Sequence, residues 1–325
     1  MAIIGYWDTL AQAQKLTQSI LLSGIIEEIV EEGQLIPRLP VTQIDGKDLV
    51  YNREVETPSA DFYDIGEEIA SQAAETYDQI TSTLKRAIGQ WDLDAFITAT
   101  YRNKNDMKAV AIQRARKGVL RTIENELIYG DDSTLTKRFD GLHVLVGPTT
   151  SQTINQGSSS TGAALSLANL DKLIDLVKPA PNVLLMNFEM QRRLSAVGRG
   201  GGATYPVVHT PESPGGDIQP MVTAYRGIPI QRTDYLTQTE NISSGDYSAK
   251  TGGDMTSIFA IRFDEIAMGG VSLITGNPAF EVFEWEKLEN KDAGRIRLVW
   301  YLTLGMGSTL SLACIDGITD VAVVV

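Results

Sequence analysis

Apolar residues recur along this chain with two different periods, and the switches between them mark out its elements. From Leu10 to Glu32, Leu16, Ile20, Gly24 and Ile29 fall at helical spacing while Glu27, Glu28, Glu31 and Glu32 crowd the far end. This predicts an amphipathic helix broken at Gly33. The segment RLPVTQIDGKDLVYNREV sets two β-favouring runs around Asp45-Gly46, a dipeptide suited to the positive φ of a tight turn, and predicts a β-hairpin. Pro37, Pro40 and Pro58 flank it, which suits an edge or a projecting arm better than a central sheet. Helical spacing resumes from Gly66 through Ile80 and again, without a proline, from about Lys104 to Tyr129. In this longest predicted helix Met107, Ala111, Ala115, Val119, Ile123 and Leu127 repeat every fourth residue and form one packing stripe.

Beyond Gly130-Asp131-Asp132-Ser133 the pattern shortens, and from Gly141 a second region of short strands, short helices and glycine- or serine-rich loops begins. TSQTINQGSSSTGAA is polar and low in bulk and reads as a loop. SLANLDKLIDLV follows as a helix capped by Ser166 or Asn169. VLLMN then has the length of a buried strand and leads into FEMQRRLSAVG, a helix closing at Gly198. GRGGGATY, TPESPGG and TQTENISSGDYSAKTGGD are further loops, the last long enough to be exposed or functional. In GRIRLVWYLTLGM, Ile296, Leu298, Trp300 and Leu302 alternate with Arg295, Arg297, Val299 and Tyr301, the period of a strand with one face more buried. STLSLACI and ITDVAVVV continue as strands to the C-terminus.

Composition narrows the function classes. With 325 residues and 43% hydrophobic content the chain has material for one large or two medium domains. Its longest apolar stretches fall short of the roughly 20 residues of a membrane span, and MAIIGYWDTLAQAQK lacks the features of a secretory signal, so membrane insertion and export are not expected. The single Cys314, in the alternating run SLACI, reads as a small buried side chain. With only His143 and His209 besides, an ordinary structural zinc site cannot be built; oxygen-ligand sites for calcium or magnesium stay open, but nothing argues for a metal and no cofactor is expected. A net charge of −13 is wrong for a protein that holds nucleic acid with its whole surface, though it says nothing of a local basic patch. Such a patch is on the long helix, where Lys104, Lys108, Arg114, Arg116, Lys117 and Arg121 form either a solvated face or a match for an acidic neighbour or nucleic acid.

Catalytic motifs are missing. Neither GxxxxGK[ST] nor GxSxG occurs, and among 41 carboxylates spacing alone nominates no acid and base pair. The glycines from Gly198 to Gly202 could face an anion but read more simply as a loop. Aromatic residues, at 7%, are scattered rather than arranged in a strip for stacking bases.

Several segments, in their order, resemble the major capsid proteins of tailed bacteriophages. VLLMNFEMQRRLSAVGRGGGATY is similar to that family's strand, Asn-containing turn and helix. YRGIPIQRTDYL, with Gly227-Ile228-Pro229 leading to Asp234, resembles its Gly-x-Pro strand start. IFAIRFDEIAMGGVSLITG and GRIRLVWYLTLGMGSTLSLACIDGIT resemble the strands that follow and close the fold. The likeness is carried by motif from about residue 180 onward and by order and proportion before that. It implies an α+β, HK97-like fold: an N-terminal arm at 1–35, an extended E-loop hairpin at 36–65, a peripheral domain at 66–139 and 273–325 holding the long spine helix, and an axial α/β domain at 140–272. It further implies a non-enzymatic subunit that self-assembles through pentamers and hexamers into an icosahedral shell around double-stranded DNA, put together in the host cytoplasm. Portal and decoration proteins would be partners. A helix beginning almost at Met1 leaves no room for a fused scaffold segment, so a separate scaffolding protein, or none, is expected.

The residues expected at subunit interfaces are Asp45, Gly46 and Lys47 at the hairpin turn, the acidic Glu54 and Glu56 of its arm, and the basic Arg114, Arg116, Lys117 and Arg121 of the spine helix. The acidic group, with Asp61, Asp64, Glu67 and Glu68, would meet the basic helix of a neighbour. Some relatives of this kind cross-link a lysine to a neighbour's asparagine; Lys47, expected at the hairpin tip, is a conceivable donor, but no acceptor asparagine or catalytic glutamate aligns. Two other readings remain: an encapsulin-like nanocompartment, told apart by enzyme cargo in place of DNA, and a soluble α/β enzyme owning the VLLMN strand, told apart by a monomer with a concave pocket.

Overall fold

The four-residue stripe of the predicted long helix folds onto a sheet whose strands come from distant parts of the chain. The computed structural model describes residues 35–56, 60–68, 76–100, 107–147, 150–157, 162–199, 224–241, 253–277, 281–289 and 291–324. The first third holds β1 (Val41–Gln43), β2 (Asp48–Glu56), β3 (Thr76–Thr83), β4 (Lys85–Asp94) and helices α1 (Ala95–Thr100) and α2 (Met107–Tyr129). Next come α3 (Leu142–Val146), β5 (Thr153–Asn155), α4 (Leu167–Leu176), β6 (Val183–Met186), α5 (Phe188–Arg199), β7 (Ala224–Tyr225) and β8 (Ile228–Arg232). The strand-rich end holds β9 (Thr256–Ile261), β10 (Val271–Thr275), β11 (Glu281–Lys287), β12 (Ala293–Met306) and β13 (Leu312–Ile318).

Strand β12 organises the five-stranded sheet. Along one edge it pairs with β4, from Ala293↔Asp94 to Leu302↔Lys85. Along the other lie β11 and β10 end to end, with β1 added in parallel beyond β10. The alternation read in β12 is observed except at Val299: Ile296, Leu298, Trp300 and Leu302 are buried and Arg295, Arg297 and Tyr301 are half-buried, but Val299, expected on the more open face, is buried as well. Helix α2 covers the buried face with Ala115, Val119, Ile123 and Leu127. Gly89 of β4 permits the close crossing, because a Cβ there would come within 2.3 Å of the Trp91 ring and 2.5 Å of a Val119 methyl.

The six-stranded sheet runs β5-β13-β9-β6-β8-β7. Its central strands β6, β9 and β13 are buried along their whole length, which is why VLLM reads as an unbroken apolar run rather than an alternating one. One face packs α4 and α5 through Leu170, Leu173, Met190 and Leu194 onto Leu184, Met186, Ile258 and Ile315. The other presents Leu185, Phe259, Leu312 and Cys314 to the same core that α2 shares with the five-stranded sheet. The C-terminal half of α2 therefore binds the two sheets together.

Four sequence readings are corrected. Asp45-Gly46 does turn, with φ +127° at Gly46, but it is not a hairpin turn: β1 pairs with β10, and β2 pairs instead with β3, from Asp48↔Thr83 to Glu56↔Thr76. The projecting ribbon thus spans 48–83 rather than lying within 36–65. The helix expected up to Ile80 is, from Thr76, a strand, since Tyr77, Gln79 and Thr81 face out while Ile80 and Ser82 are half-buried, and its β-branched Thr76, Ile80, Thr81 and Thr83 favour that geometry. The polar segment after Thr150 is not wholly loop: β5 adds in parallel to β13, burying Ile154. The last strand, β13, joins the six-stranded sheet of 150–261 rather than the one that β12 organises, because the 3-10 turn Thr309–Ser311, capped by the Ser308 hydroxyl, redirects the chain. Ser166 stands at the N-cap of α4, but the Leu167 amide donates to the Val324 carbonyl at 3.0 Å. The predicted helix of 10–32 and the loops at 201–223 and 242–252 lie outside the described residues.

Candidate assembly surfaces

The ribbon is held to the body at its base. On the face turned inward, the Tyr51 hydroxyl donates to the Met306 carbonyl at 2.8 Å, and the Arg53 guanidinium donates to the Met306 and Gly307 carbonyls at 2.8 and 3.0 Å. The carbonyls at the end of β12 are free for this because the chain turns away there. Lys85, at the start of β4, pairs with Asp132 at 2.7 Å and donates to the Thr136 carbonyl. Between these contacts lies a cleft of about 380 Å³ lined by Tyr51, Ile80, Lys85, Phe139, Leu304 and Met306.

The connection between β2 and β3 is unlike its base. Over 60–68 nearly every residue is exposed, including Phe62 and Ile65, two large apolar side chains in full contact with solvent. Their backbone is nevertheless ordered by a turn: the Glu67 amide donates to the Asp64 carbonyl at 3.1 Å, and the Glu67 carboxylate accepts from the Asp64 amide at 2.8 Å. Gly66, at φ +88°, takes the position where a side chain would be strained. Asp61, Asp64, Glu67 and Glu68 surround the two apolar residues with negative charge.

Helix α2 has an exposed basic side and a buried acidic one. Arg114, Arg116 and Lys117 are exposed and Arg121 is half-buried, with Arg114, Lys117 and Arg121 on one face at spacings of three and four. On the inner side Glu124 is 3% exposed and accepts from the amides of Leu35 and Ile36 at 3.3 and 3.1 Å, so a buried carboxylate caps the turn from which the described chain starts. Burial pushes the Glu124 carboxyl above its ordinary range, and the two amide donors pull it back in part.

At the end of α2 a knot of polar side chains closes the joint between the sheets. Glu240 accepts from the Tyr129 hydroxyl and, at 2.5 Å, from the Ser257 hydroxyl, and lies 3.3 Å from His143 Nε2. The His143 ring stacks on Tyr129 and meets Phe259 edge-on. All four polar members are buried. Burial and the neighbouring Glu240 push the Tyr129 phenol up, and burial pushes the adjacent Cys314 thiol up, so this cysteine is inert. The knot packs among core residues, and its hydrogen bonds fix the geometry of the joint.

The expected interface residues are distributed over these surfaces unevenly. Asp45, Gly46 and Lys47 are exposed, but at the root of the ribbon, where the Lys47 carbonyl accepts from the Leu84 amide at 2.9 Å; Lys47 is not at a tip. Glu54 is exposed opposite Tyr77, and Glu56 closes the ladder opposite Thr76. Phe62, Ile65, Tyr51, Arg53, Glu124 and Glu240 escaped the sequence reading. An apolar pair set among four carboxylates could have pointed to the first two; nothing local points to the others, whose partners are distant in sequence.

The model of the phage capsid family matches residues 16–261. Among curated proteins none matches by sequence. Solved structures match over nearly their whole length. One is a chain of the holo-SrpI encapsulin complex from Synechococcus elongatus, 17% identical, covering 95% of each chain at a TM-score of 0.67. Another is the capsid of cyanophage A-1(L), 13% identical, with 96% of this chain and 99% of that one covered at 0.66. A chain of Microbacterium phage Oxtober96 is 14% identical, with coverage of 95% and 98% at 0.62. These likenesses establish the α+β, HK97-like fold.

Proposed function

This chain belongs to the phage capsid family, a structural rather than enzymatic subunit of a virion shell, and from that premise we propose how it builds one. Copies associate into pentamers and hexamers and close into an icosahedron around double-stranded DNA, in the cytoplasm of the host. Portal, decoration and separate scaffolding proteins are the partners such a shell would take. The observation that carries this reading is the ribbon of 48–83: two strands, anchored at the base, carry apolar residues into solvent, where an isolated monomer gains nothing from them.

In domain terms, the ribbon acts as the E-loop. The five-stranded sheet with α2 acts as the peripheral domain, and the six-stranded sheet with α4 and α5, now including β13, as the axial domain that meets its equivalents at the shell's symmetry centres. The basic face of α2 at Arg114, Arg116, Lys117 and Arg121 serves contacts with acidic neighbours or with packaged DNA; charge reversal at Arg114 and Arg116 then lowers assembly or packaging.

A second reading, a nanocompartment with enzyme cargo, draws on the likeness to the encapsulin chain. The two differ in content. Particles purified from producing cells and treated with nuclease should retain protected DNA; particles holding one co-purifying enzyme and no DNA would favour the nanocompartment.

A further inference from the structure

The ribbon stands off the body above a gap that its own side chains do not fill. Residues paired directly across the ladder share a face, so Arg53 with Asp78 and Tyr51 with Ile80 point inward, and Ser82 follows two residues beyond Ile80. Tyr51 and Arg53 reach the body, through their hydrogen bonds to the Met306 and Gly307 carbonyls. Asp78, Ile80 and Ser82 are shorter and line the space that remains, the cleft of about 380 Å³. The body's side of it is made by Phe139, Leu304 and Met306, all buried, with Val144 and Leu145 of α3 half-buried beside them. One wall therefore belongs to the ribbon and the other to the body, the floor is apolar, and the volume lies in the range that holds a small organic molecule.

The rim of the cleft is charged and out of balance. Lys85 is committed to Asp132 at 2.7 Å and to the Thr136 carbonyl, and Arg53 spends Nε and Nη2 on the carbonyls at the end of β12. Against these two cations stand three carboxylates, Asp78, Asp132 and Asp140. Asp140 accepts from the Asp132 amide at 2.9 Å, and neither it nor Asp78 forms an ion pair among the described residues. No group of three or more His, Cys, Asp or Glu side chains among the described residues is placed to hold a metal ion, so a metal does not meet this excess of negative charge. A molecule that buries an apolar body on the floor and turns a positive group to the rim satisfies both parts of the cleft at once.

We propose that the cleft is a binding site for a small organic cation with an apolar body, an alkylammonium or arylalkylammonium ion. The body seats on Phe139, Leu145 and Leu304, and the ammonium group turns toward Asp78 and Asp140. Because the walls come from two parts of the subunit, a bound cation ties the root of the ribbon to the body. The site lies within one subunit and is independent of the capsid reading, which its failure leaves intact.

Calorimetric titration of the unassembled full-length subunit with naphthylmethylammonium tests the site, with naphthylacetate and naphthylmethanol as the same ring system carrying a negative and a neutral group. The ammonium compound should bind about tenfold more tightly than the carboxylate, with the alcohol between them. Val144→Phe, which fills the cleft, should abolish binding of all three. Asp78→Asn, an exposed substitution, should weaken the ammonium compound and spare the alcohol. Binding should also slow amide exchange over 48–54 and 78–83, the ribbon side of the cleft. Failure of the ammonium compound to bind at millimolar concentration, equal binding of the three compounds, or binding that survives Val144→Phe overturns the site. Equal effects of Asp78→Asn on the ammonium compound and the alcohol contradict the proposal too, and so does binding that leaves exchange in the ribbon unchanged.

Discussion

The knot around Glu240 and the turn around Ile65 place similar chemistry in opposite surroundings. In the knot a carboxylate, an imidazole, a phenol and a hydroxyl are taken out of water, and the groups that satisfy Glu240 come from α2, α3 and β9 of the same chain. At the turn, carboxylates remain in water together with two apolar side chains that none of the described residues covers. The difference separates residues used inside the subunit from residues left for the proposed contact with a neighbouring copy. Substitutions in the body should cost folding free energy, whereas substitutions in the ribbon beyond its base should leave folding alone and act on assembly.

The hardest blow to the body is Phe259→Ala, which empties a fully buried aromatic site between α2, α3 and the six-stranded sheet. It should cost about 3–5 kcal/mol in denaturant unfolding of the unassembled subunit. Removal of the hub of the knot comes next. Glu240→Ala strands Tyr129, Ser257 and His143 without their acceptor and should cost roughly 2–3 kcal/mol; stability equal to wild type would mean the knot contributes nothing to the joint. The base of the ribbon lies between the two extremes. Tyr51→Phe deletes one hydrogen bond to the Met306 carbonyl, about 1 kcal/mol, and should quicken amide exchange over 48–54 while β9 and β13 stay protected.

The smallest effects are electrostatic, and their signs differ from place to place. Asp320 is lowered by its hydrogen bonds to Arg193 and Arg192, and Asp92 by Arg295. Each folded group holds its proton less tightly than the unfolded one, so their stabilisation is complete above the ordinary value near 3.8 and is lost as pH falls through the lowered folded value. Glu124 is raised by burial, so the folded state holds its proton more tightly, and stability declines as pH rises from 4.5 through the raised folded value. Glu124→Gln should abolish that decline. Asp320→Asn should cost under about 1 kcal/mol at neutral pH, since the pair is partly solvated, and should lessen the loss in acid.

Elements whose signal is local were legible in the sequence. The stripe of Ala115, Val119, Ile123 and Leu127, the unbroken run VLLM and the alternation from Ile296 to Leu302 each encode their burial in their own spacing. Elements decided by distant partners were not. The Asp45-Gly46 turn is real, yet whether β2 pairs with β1 or with β3 depends on ladder partners across the connection at 57–75. β13 reads as a strand, but its sheet is chosen by β9 and β5. Likewise the basic residues of α2 were visible as a run of charge, whereas Glu124 and Glu240 look like ordinary surface carboxylates until the amides and hydroxyls of remote segments fold around them.

Electron cryomicroscopy of particles assembled from the purified protein tests the central claim, that the ribbon serves a neighbouring copy rather than its own subunit, most directly. The account predicts closed shells of five- and six-membered rings in which each ribbon of 48–83 lies against a neighbouring copy. Ribbons folded against their own subunit, or a protein that stays monomeric at every concentration, would contradict it.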